Sequence, residues 1–338
     1  MKKRLFSGLT LLLVLSLALV GCGGATEDGN GGDTEEGTEA ADPVNLQLGT
    51  GGSAGTYYPL GGAIGQVWKN EVEGVSNVQV NETNASVENI RLLDGGSIDL
   101  GMSINFIADY AHQGIEEFEE DGEVTSFGVM GVVYPEVVYA FANPSAGIET
   151  VADLEGKVVE VGPPGSGTAV ATRQVLEAYG LTFDDIDVRN SNFGDAVSAY
   201  KDGGVDAVFA VVSSPSGLVH DVTSTHDVQF LDIVGEELDT LREAHPFYSP
   251  FVVEQDEYEG MEADYETVTM QALMLASNDL SEDLVYELTQ AMYENTETIA
   301  ETHNVGNQIS LENALNGVTT PLHPGAERYF EEQGIELE

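Results

Sequence analysis

Two similar runs of alternating strand and helix patterns constrain this chain more than any other feature. Each run contains a glycine-rich turn between a strand and a helix, GTGGSAGT at 49–56 and GPPGSGT at 162–168. Each also contains a helix that ends in Asp-Gly-Gly before a buried strand, at 92–103 and 199–212. The repetition at similar spacing predicts an α/β fold with two lobes of similar plan and mainly parallel strands.

The second turn resembles a phosphate-binding loop that lacks its lysine. Gly162 and Gly167 occupy the two glycine positions of that pattern, and Thr168 stands where the lysine would be. A helix N-terminus offers free N–H groups and partial positive charge, so it serves a single carboxylate better than a triphosphate when no cation is present. Two such turns across a cleft suit a small anionic or zwitterionic solute. The alternative is that the glycines only form tight turns.

Local patterns also predict individual elements. The segment 126–143 predicts a pair of strands with Pro135 between them, and 266–277 predicts a further strand. The segment 281–303 predicts one long helix with Ser281 as its N-cap.

The N-terminal region predicts export and anchoring. Residues 1–21 are interpreted as a signal peptide, because three basic residues at 2–4 precede an apolar run too short to span a membrane. Cys22 ends the sequence LVGC, which resembles a bacterial lipobox; the alternative is an ordinary signal peptide with a chance cysteine. It is the only cysteine, which excludes disulfides and cysteine-based metal sites. Residues 22–43 are rich in glycine and acids and predict a disordered tether after the lipidated cysteine.

The charge balance limits the partners. The chain carries 59 Asp and Glu against 11 Lys and Arg, a formal net charge of -48. Nucleic acid is excluded as a partner, because phosphate binding needs clustered basic residues. The 42% hydrophobic content argues for a folded protein rather than a disordered chain. The acidity then indicates solubility in concentrated salt, and thus a halophilic or haloalkaliphilic source.

Several motifs in a fixed order resemble the TAXI family, the solute-binding proteins of TRAP-type transporters. They include GTGGSAGTYYPLGGAI, YPEVVY, GPPGSGT and PLHPGAERYF, and the resemblance spans nearly all of 45–334. It implies a type II periplasmic-binding-protein fold, in which a two-strand hinge joins two α/β lobes around a ligand cleft. Lobe 1 is then expected at 44–137, lobe 2 at 138–252, and a return to lobe 1 with C-terminal helices at 253–338.

The same resemblance implies a function in transport. The protein is expected to capture a carboxylate-bearing solute such as glutamate, glutamine or a dicarboxylate outside the cytoplasm, and to deliver it to a TRAP-type membrane permease. It is expected to act without catalysis, cofactor or metal, lipid-anchored on the outer face of the cell membrane or in the periplasm. One alternative is a sensing module that reports to a membrane receptor or kinase. A secreted hydrolase or transferase is the weakest alternative, because no nucleophile–base pair stands out.

The resemblance also carries ligand-binding roles onto positions of this sequence. The predicted ligand-binding residues are Thr50, Gly52, Ser53, Tyr57, Ser86, Asn105, Gly165, Ser166, Gly167, Thr168, Ser213 and Ser214. We expect Tyr57 to cover an aliphatic part of the ligand while its hydroxyl donates a hydrogen bond. Arg91, Arg173 and Arg189 are scarce cations that could pair with a ligand carboxylate, although local acids are the expected partners of Arg91 and Arg173.

Overall fold

One mixed β-sheet organises the described part of the chain. The computed structural model describes residues 43–337, so the predicted signal peptide, Cys22 and the acidic tether up to residue 42 lie outside the described residues. The strands are β1 Val44–Gly49, β2 Val75–Asn81, β3 Leu100–Ile104, β4 Phe127–Ala142, β5 Val158–Glu160, β6 Asp187–Arg189, β7 Ala207–Val212, β8 Gln229–Phe230, β9 Ser249–Val253 and β10 Tyr265–Ser277. The α-helices are α1 Tyr57–Glu71, α2 Ser86–Asp94, α3 Asn105–Gln113, α4 Gly167–Ala178, α5 Phe193–Lys201, α6 Gly217–Thr223, α7 Gly235–Ala244, α8 Glu282–Glu294, α9 Thr296–Thr302 and α10 Pro324–Glu332.

The strand order contains the internal repeat that the sequence predicts. The main path is β2-β1-β3-β10-β4-β7-β5-β6, with β8 beside β4 and β9 beside β10. At one end β1 lies parallel to β2 and β3, and at the other end β5 lies parallel to β6 and β7. Each parallel trio thus has its first strand in the centre, followed in the chain by a glycine turn and a helix. The predicted repetition of two strand–turn–helix units is confirmed.

Two long strands connect the two halves of the sheet. Residues Phe127–Val137 of β4 pair with β10, and Val137–Ala142 then pair with β7. In the opposite direction, β10 pairs first with β9 and then, from Ala272 to Ala276, with β3. These pairings are antiparallel, so the sheet is mixed rather than mainly parallel. The limits predicted for the lobes remain a prediction.

The prediction of a strand break at Pro135 is wrong. β4 continues from Phe127 to Ala142, and Pro135 lies opposite Gln271 of β10. The pairing is irregular next to this position, because the register shifts between Ala272 and Leu273 of β10. A proline removes a ladder donor, but it is tolerated where the pairing is irregular.

The long C-terminal helix is also divided. Ser281 caps α8 as predicted, because its side chain accepts a hydrogen bond from the Leu284 N–H. The helix ends at Glu294, and the capping residue that follows, Asn295, donates from Nδ2 to the Ala291 carbonyl at 2.9 Å. The side chain thereby occupies a backbone acceptor near the end of α8, and α9 starts separately.

Helices cover both faces of the sheet and bury its apolar side chains. All residues of β4 except the half-buried Pro135 are buried, which fits a strand covered by helices on both sides. Trp68 of α1 is fully buried, and its Nε1–H donates to the Leu288 carbonyl of α8 at 2.7 Å. Within residues 43–337, no helix has both the length and the hydropathy needed to cross a bilayer.

Candidate ligand-binding cleft

A cavity of about 60 Å³ lies where the two halves of the sheet meet. Its walls come from the loop before α1, the segment before α2, the loop before α4 and the start of α5. Ile104, Tyr134, Glu136 and Val211 complete the lining from the sheet. Four helices therefore begin at this cavity, and each offers backbone N–H groups that lack an intrahelical partner.

The start of α4 presents unused donors. Ser166 is the N-cap: its Oγ accepts from the Ala169 N–H at 3.0 Å and donates to the Pro163 carbonyl at 2.7 Å. Within residues 43–337, the N–H groups of Gly167 and Thr168 and the Thr168 hydroxyl have no hydrogen-bond partner. The capping role therefore belongs to Ser166, and Thr168 is free to contact a bound molecule. Together with the helix dipole, these donors suit an anion.

The start of α2 connects the two halves of the sheet directly. The N–H groups of Val87 and Glu88 donate to the Gly165 carbonyl at 3.2 and 3.3 Å. Ala85, just before the helix, has a φ of 70°, which is strained for a residue with a side chain. Two orphan donors of α2 are thus satisfied by the opposite loop. The cleft is narrow here because these two hydrogen bonds bring the backbone of α2 into contact with the backbone of the loop before α4.

The start of α1 makes a second connection. Thr56 Oγ1 accepts from the Ser213 N–H at 3.2 Å and shares a hydrogen bond with Ser213 Oγ at 3.1 Å. Tyr57 follows, and its hydroxyl is directed to the base of the cavity.

Glu136 lies at that base with only 2% of its surface exposed. Tyr57 Oη donates to Glu136 Oε2 at 2.9 Å, and Tyr134 Oη donates to Oε1 at 3.1 Å. Burial raises the pKa of the Glu136 carboxyl to about 8, although the two tyrosine bonds lower it. Burial, with the nearby Glu136, also raises the pKa of both tyrosines well above 10. The tyrosines therefore remain neutral donors.

Positively charged side chains are absent from the described lining, which contains no Lys, Arg or His. Arg91 pairs with Asp121, Arg173 with Glu116, Glu117 and Glu177, and Arg189 with Asp187. The arginines have local acids as partners, as expected for Arg91 and Arg173. An anion in this cavity would consequently be held by N–H groups and hydroxyls.

The structure brings half of the predicted site residues together. Gly52, Tyr57, Ser86, Ser166, Gly167 and Thr168 all line the cavity. Their roles in binding remain a prediction.

The other predicted residues lie outside the lining and have structural partners. Thr50 Oγ1 donates to the Asn81 carbonyl, and the Ser53 N–H donates to Glu82 on the exposed surface. Asn105 Nδ2 donates to the Gly317 carbonyl. Gly165 contributes its carbonyl to α2, Ser213 bonds to Thr56, and Ser214 Oγ donates to Glu257. For these six, direct contact with a ligand remains a prediction, and each already uses at least one polar group in a bond within the protein.

Glu136, Tyr134, Asn192 and Phe193 line the cavity but were not predicted. A signal for Glu136 was present in the sequence: it is the only charged residue in the apolar run 127–142. An acid in such a strand is costly to bury unless it has partners, and so indicates a function. The residues at 192–193 carry no comparable signal.

Comparison with known proteins identifies the family. Residues 48–334 match the profile of the NMT1-like family. The chain belongs to the NMT1-like family. The match includes every element from the end of β1 through α10, so the cleft lies wholly within the NMT1-like region.

Several solved structures are similar in fold to this NMT1-like chain. A protein from Bordetella bronchiseptica RB50 is 16% identical, with a TM-score of 0.50 over 83% of each chain. The alkanesulfonate-binding protein SsuA from Xanthomonas axonopodis pv. citri, bound to MOPS, is 19% identical, with a TM-score of 0.49 over 86% of this chain and 85% of that one. The periplasmic aliphatic sulphonate binding protein SsuA from Escherichia coli is also 19% identical, with a TM-score of 0.48 over 86% and 79%. The predicted two-lobe α/β fold class is confirmed.

Proposed function

We propose that this protein is an extracytoplasmic solute-binding protein that captures a small carboxylate-bearing solute. The observation that carries the proposal is the set of unused donors at the start of α4, namely the N–H groups of Gly167 and Thr168 and the Thr168 hydroxyl. They line a cavity in which none of the described lining residues is basic, and there a helix N-terminus favours a carboxylate.

The contacts around the cavity support capture between two lobes. The Gly165 carbonyl bonds to α2, and Thr56 bonds to Ser213. Both contacts join parts that the long strands β4 and β10 connect. A bound solute would be enclosed when these contacts form, and released when they separate.

The lining argues against hydrolysis. Ser166 Oγ serves the cap of α4, and within the described lining there is no histidine to activate a serine. The Glu136 carboxyl accepts hydrogen bonds from two tyrosines, and it is not paired with a serine or threonine hydroxyl of the described lining that it could activate as a base. The cavity is therefore better suited to binding than to covalent chemistry.

The membrane partner and the anchor belong to the same proposal. The TAXI resemblance supports delivery to a TRAP-type permease, with glutamate, glutamine or a dicarboxylate as the solute. The LVGC motif supports lipidation at Cys22. The protein would then act on the outer face of the cell membrane or in the periplasm.

A ligand screen tests the function. Purified protein in concentrated NaCl is titrated calorimetrically with amino acids, dicarboxylates, alkanesulfonates and ATP. We expect saturable binding of a carboxylate and none of ATP, because the described lining contains no lysine to contact a polyphosphate. Binding of ATP, or of sulfonates but no carboxylate, would reject the proposal.

A further inference from the structure

Glu136 is a buried carboxyl without a positively charged partner among the residues that the structure describes. It is 2% exposed, and within residues 43–337 its side-chain bonds come from Tyr57 and Tyr134. A buried carboxyl without a cation is unfavourable, and strand β4 does not need one, because its backbone pairing uses main-chain groups. This cost indicates that the carboxyl serves the cavity that it lines.

The carboxyl retains acceptor capacity toward the cavity. Each oxygen accepts one phenol hydrogen bond, whereas an ionised carboxylate has about four acceptor positions. The tyrosines hold the group in place because both are buried and their hydroxyls point to separate oxygens. Since the described lining contains no Lys, Arg or His, a cation for Glu136 has to arrive with the ligand.

The same cavity therefore combines two opposite preferences. The N–H groups of Gly167 and Thr168 and the Thr168 hydroxyl favour an anion, and Glu136 favours a cation. A simple dicarboxylate would satisfy the first group and be repelled by the second. A molecule with a carboxylate and an ammonium group would satisfy both.

We infer that Glu136 is the specificity-determining residue that selects solutes carrying an ammonium group as well as a carboxylate. This inference rests on the proposed function, because it needs a carboxylate at α4. Tyr57 and Tyr134 act as positioning residues that orient the Glu136 carboxylate. Glu136 also disfavours carboxylates that lack an amino group, because they offer no cation to its carboxylate.

Protonation gives this arrangement a characteristic pH dependence. Burial raises the pKa of Glu136 to about 8, so the empty cleft holds a protonated carboxyl at neutral pH. The titratable groups that face it are Tyr57 of α1 and Tyr134 of β4, whose raised pKa values keep them neutral. Met270, its pairing partner on β10, carries no charge. Binding of an ammonium ligand should therefore release a proton and strengthen from pH 6 to pH 8. Binding of an amine-free analogue should weaken over that range.

Matched ligand pairs test the inference. Glutamate is compared with glutarate, and norvaline with pentanoate, by titration calorimetry at fixed NaCl. In each pair only the amino group differs. We expect the amino member of at least one pair to bind ten- to a hundredfold more tightly, and its heat to depend on the ionisation enthalpy of the buffer.

Two variants distinguish a role in recognition from a role in folding. Glu136→Gln should remove most of this preference by weakening the amino member alone, and should abolish proton release. Glu160→Gln is the control, because Glu160 is also 2% exposed but bonds to Ser191 and does not line the cavity. It should keep the preference.

The outcomes separate the two levels of the proposal. Equal affinity within every pair, or equal weakening of both members by Glu136→Gln, overturns the role of Glu136 while carboxylate capture stands. Failure of every carboxylate to bind overturns the proposed function and this inference with it.

Discussion

Gly167 packs directly against Ile104 across the cleft. A Cβ on Gly167 would collide with Ile104 Cδ1 and would lie 2.8 Å from Ser86 Oγ. Gly167 begins α4, whereas Ile104 ends β3 in the other half of the sheet. The two halves therefore reach this separation only because position 167 has no side chain.

This contact predicts that Gly167→Ala weakens ligand binding. An added methyl at a filled contact costs about 1–3 kcal/mol, and opening the cleft would relieve it. The penalty thus falls on the closed state and lowers affinity about five- to a hundredfold, as titration calorimetry would measure.

Gly62→Ala is the matched control. Gly62 lies on α1, and no neighbouring atom of the described residues comes within 4 Å of an added Cβ, so alanine should leave affinity unchanged. It should raise stability by about 0.5–1 kcal/mol, because alanine is the better helix residue. Wild-type affinity in Gly167→Ala would contradict the need for a glycine at this contact.

Thr168→Val should separate recognition from capping at α4. Valine keeps the shape of threonine but removes the hydroxyl that is free to contact a ligand. A lost hydrogen bond to a charged group costs about 1.5–3 kcal/mol, so affinity should fall about ten- to a hundredfold with little change in melting temperature.

Ser166→Ala should show a different balance. Its Oγ caps the helix through the Ala169 N–H, so the variant should lose about 1 kcal/mol of stability in calorimetric melting. Its affinity should change less than that of Thr168→Val. An unchanged affinity in Thr168→Val would remove that hydroxyl from the site.

Glu136→Gln should change how stability depends on pH. The pKa of Glu136 is raised from 4.5 to about 8 in the fold, so the fold favours the neutral carboxyl. That contribution is fully present below pH 4.5 and is lost as pH rises through about 8. Glutamine stays neutral at every pH. The variant should gain roughly 3–5 kcal/mol over the wild type between pH 5 and pH 9, measured by denaturant unfolding. A difference that is the same at both pH values would contradict a raised pKa.

Salt should stabilise the protein. With a net charge of -48, self-repulsion opposes the compact state in dilute buffer. Because the screening length falls from about 10 Å at 0.1 M to about 3 Å at 1 M, the melting temperature should rise with NaCl toward molar concentrations. Sodium perchlorate at equal ionic strength is the control for salting-out of apolar surface. A melting temperature that does not change with NaCl concentration would contradict the prediction of a halophilic protein.

Local chemistry in the sequence determined the repeating architecture and one wall of the cleft. Glycines and hydroxyls between a strand and a helix specify a turn and a helix start, whatever lies nearby. For this reason the turn at 162–168 and its unpaired backbone donors could be predicted. The family resemblance added the two-strand hinge and the expected binding roles of Tyr57 and Ser86.

Tertiary structure alone decided which polar groups remain available in the cavity. Thr50, Asn105 and Ser213 are of the same residue types as the cavity-lining residues, but backbone groups and side chains distant in sequence occupy their hydrogen-bonding atoms. Likewise, Tyr134 lies only two residues from Glu136 on β4, but Tyr57 reaches the same carboxyl from α1. The absence of Lys, Arg and His from the described lining beside it also arises from packing. Hydrogen bonds between distant residues depend on how the elements pack, and a pattern of neighbouring residues does not contain that information.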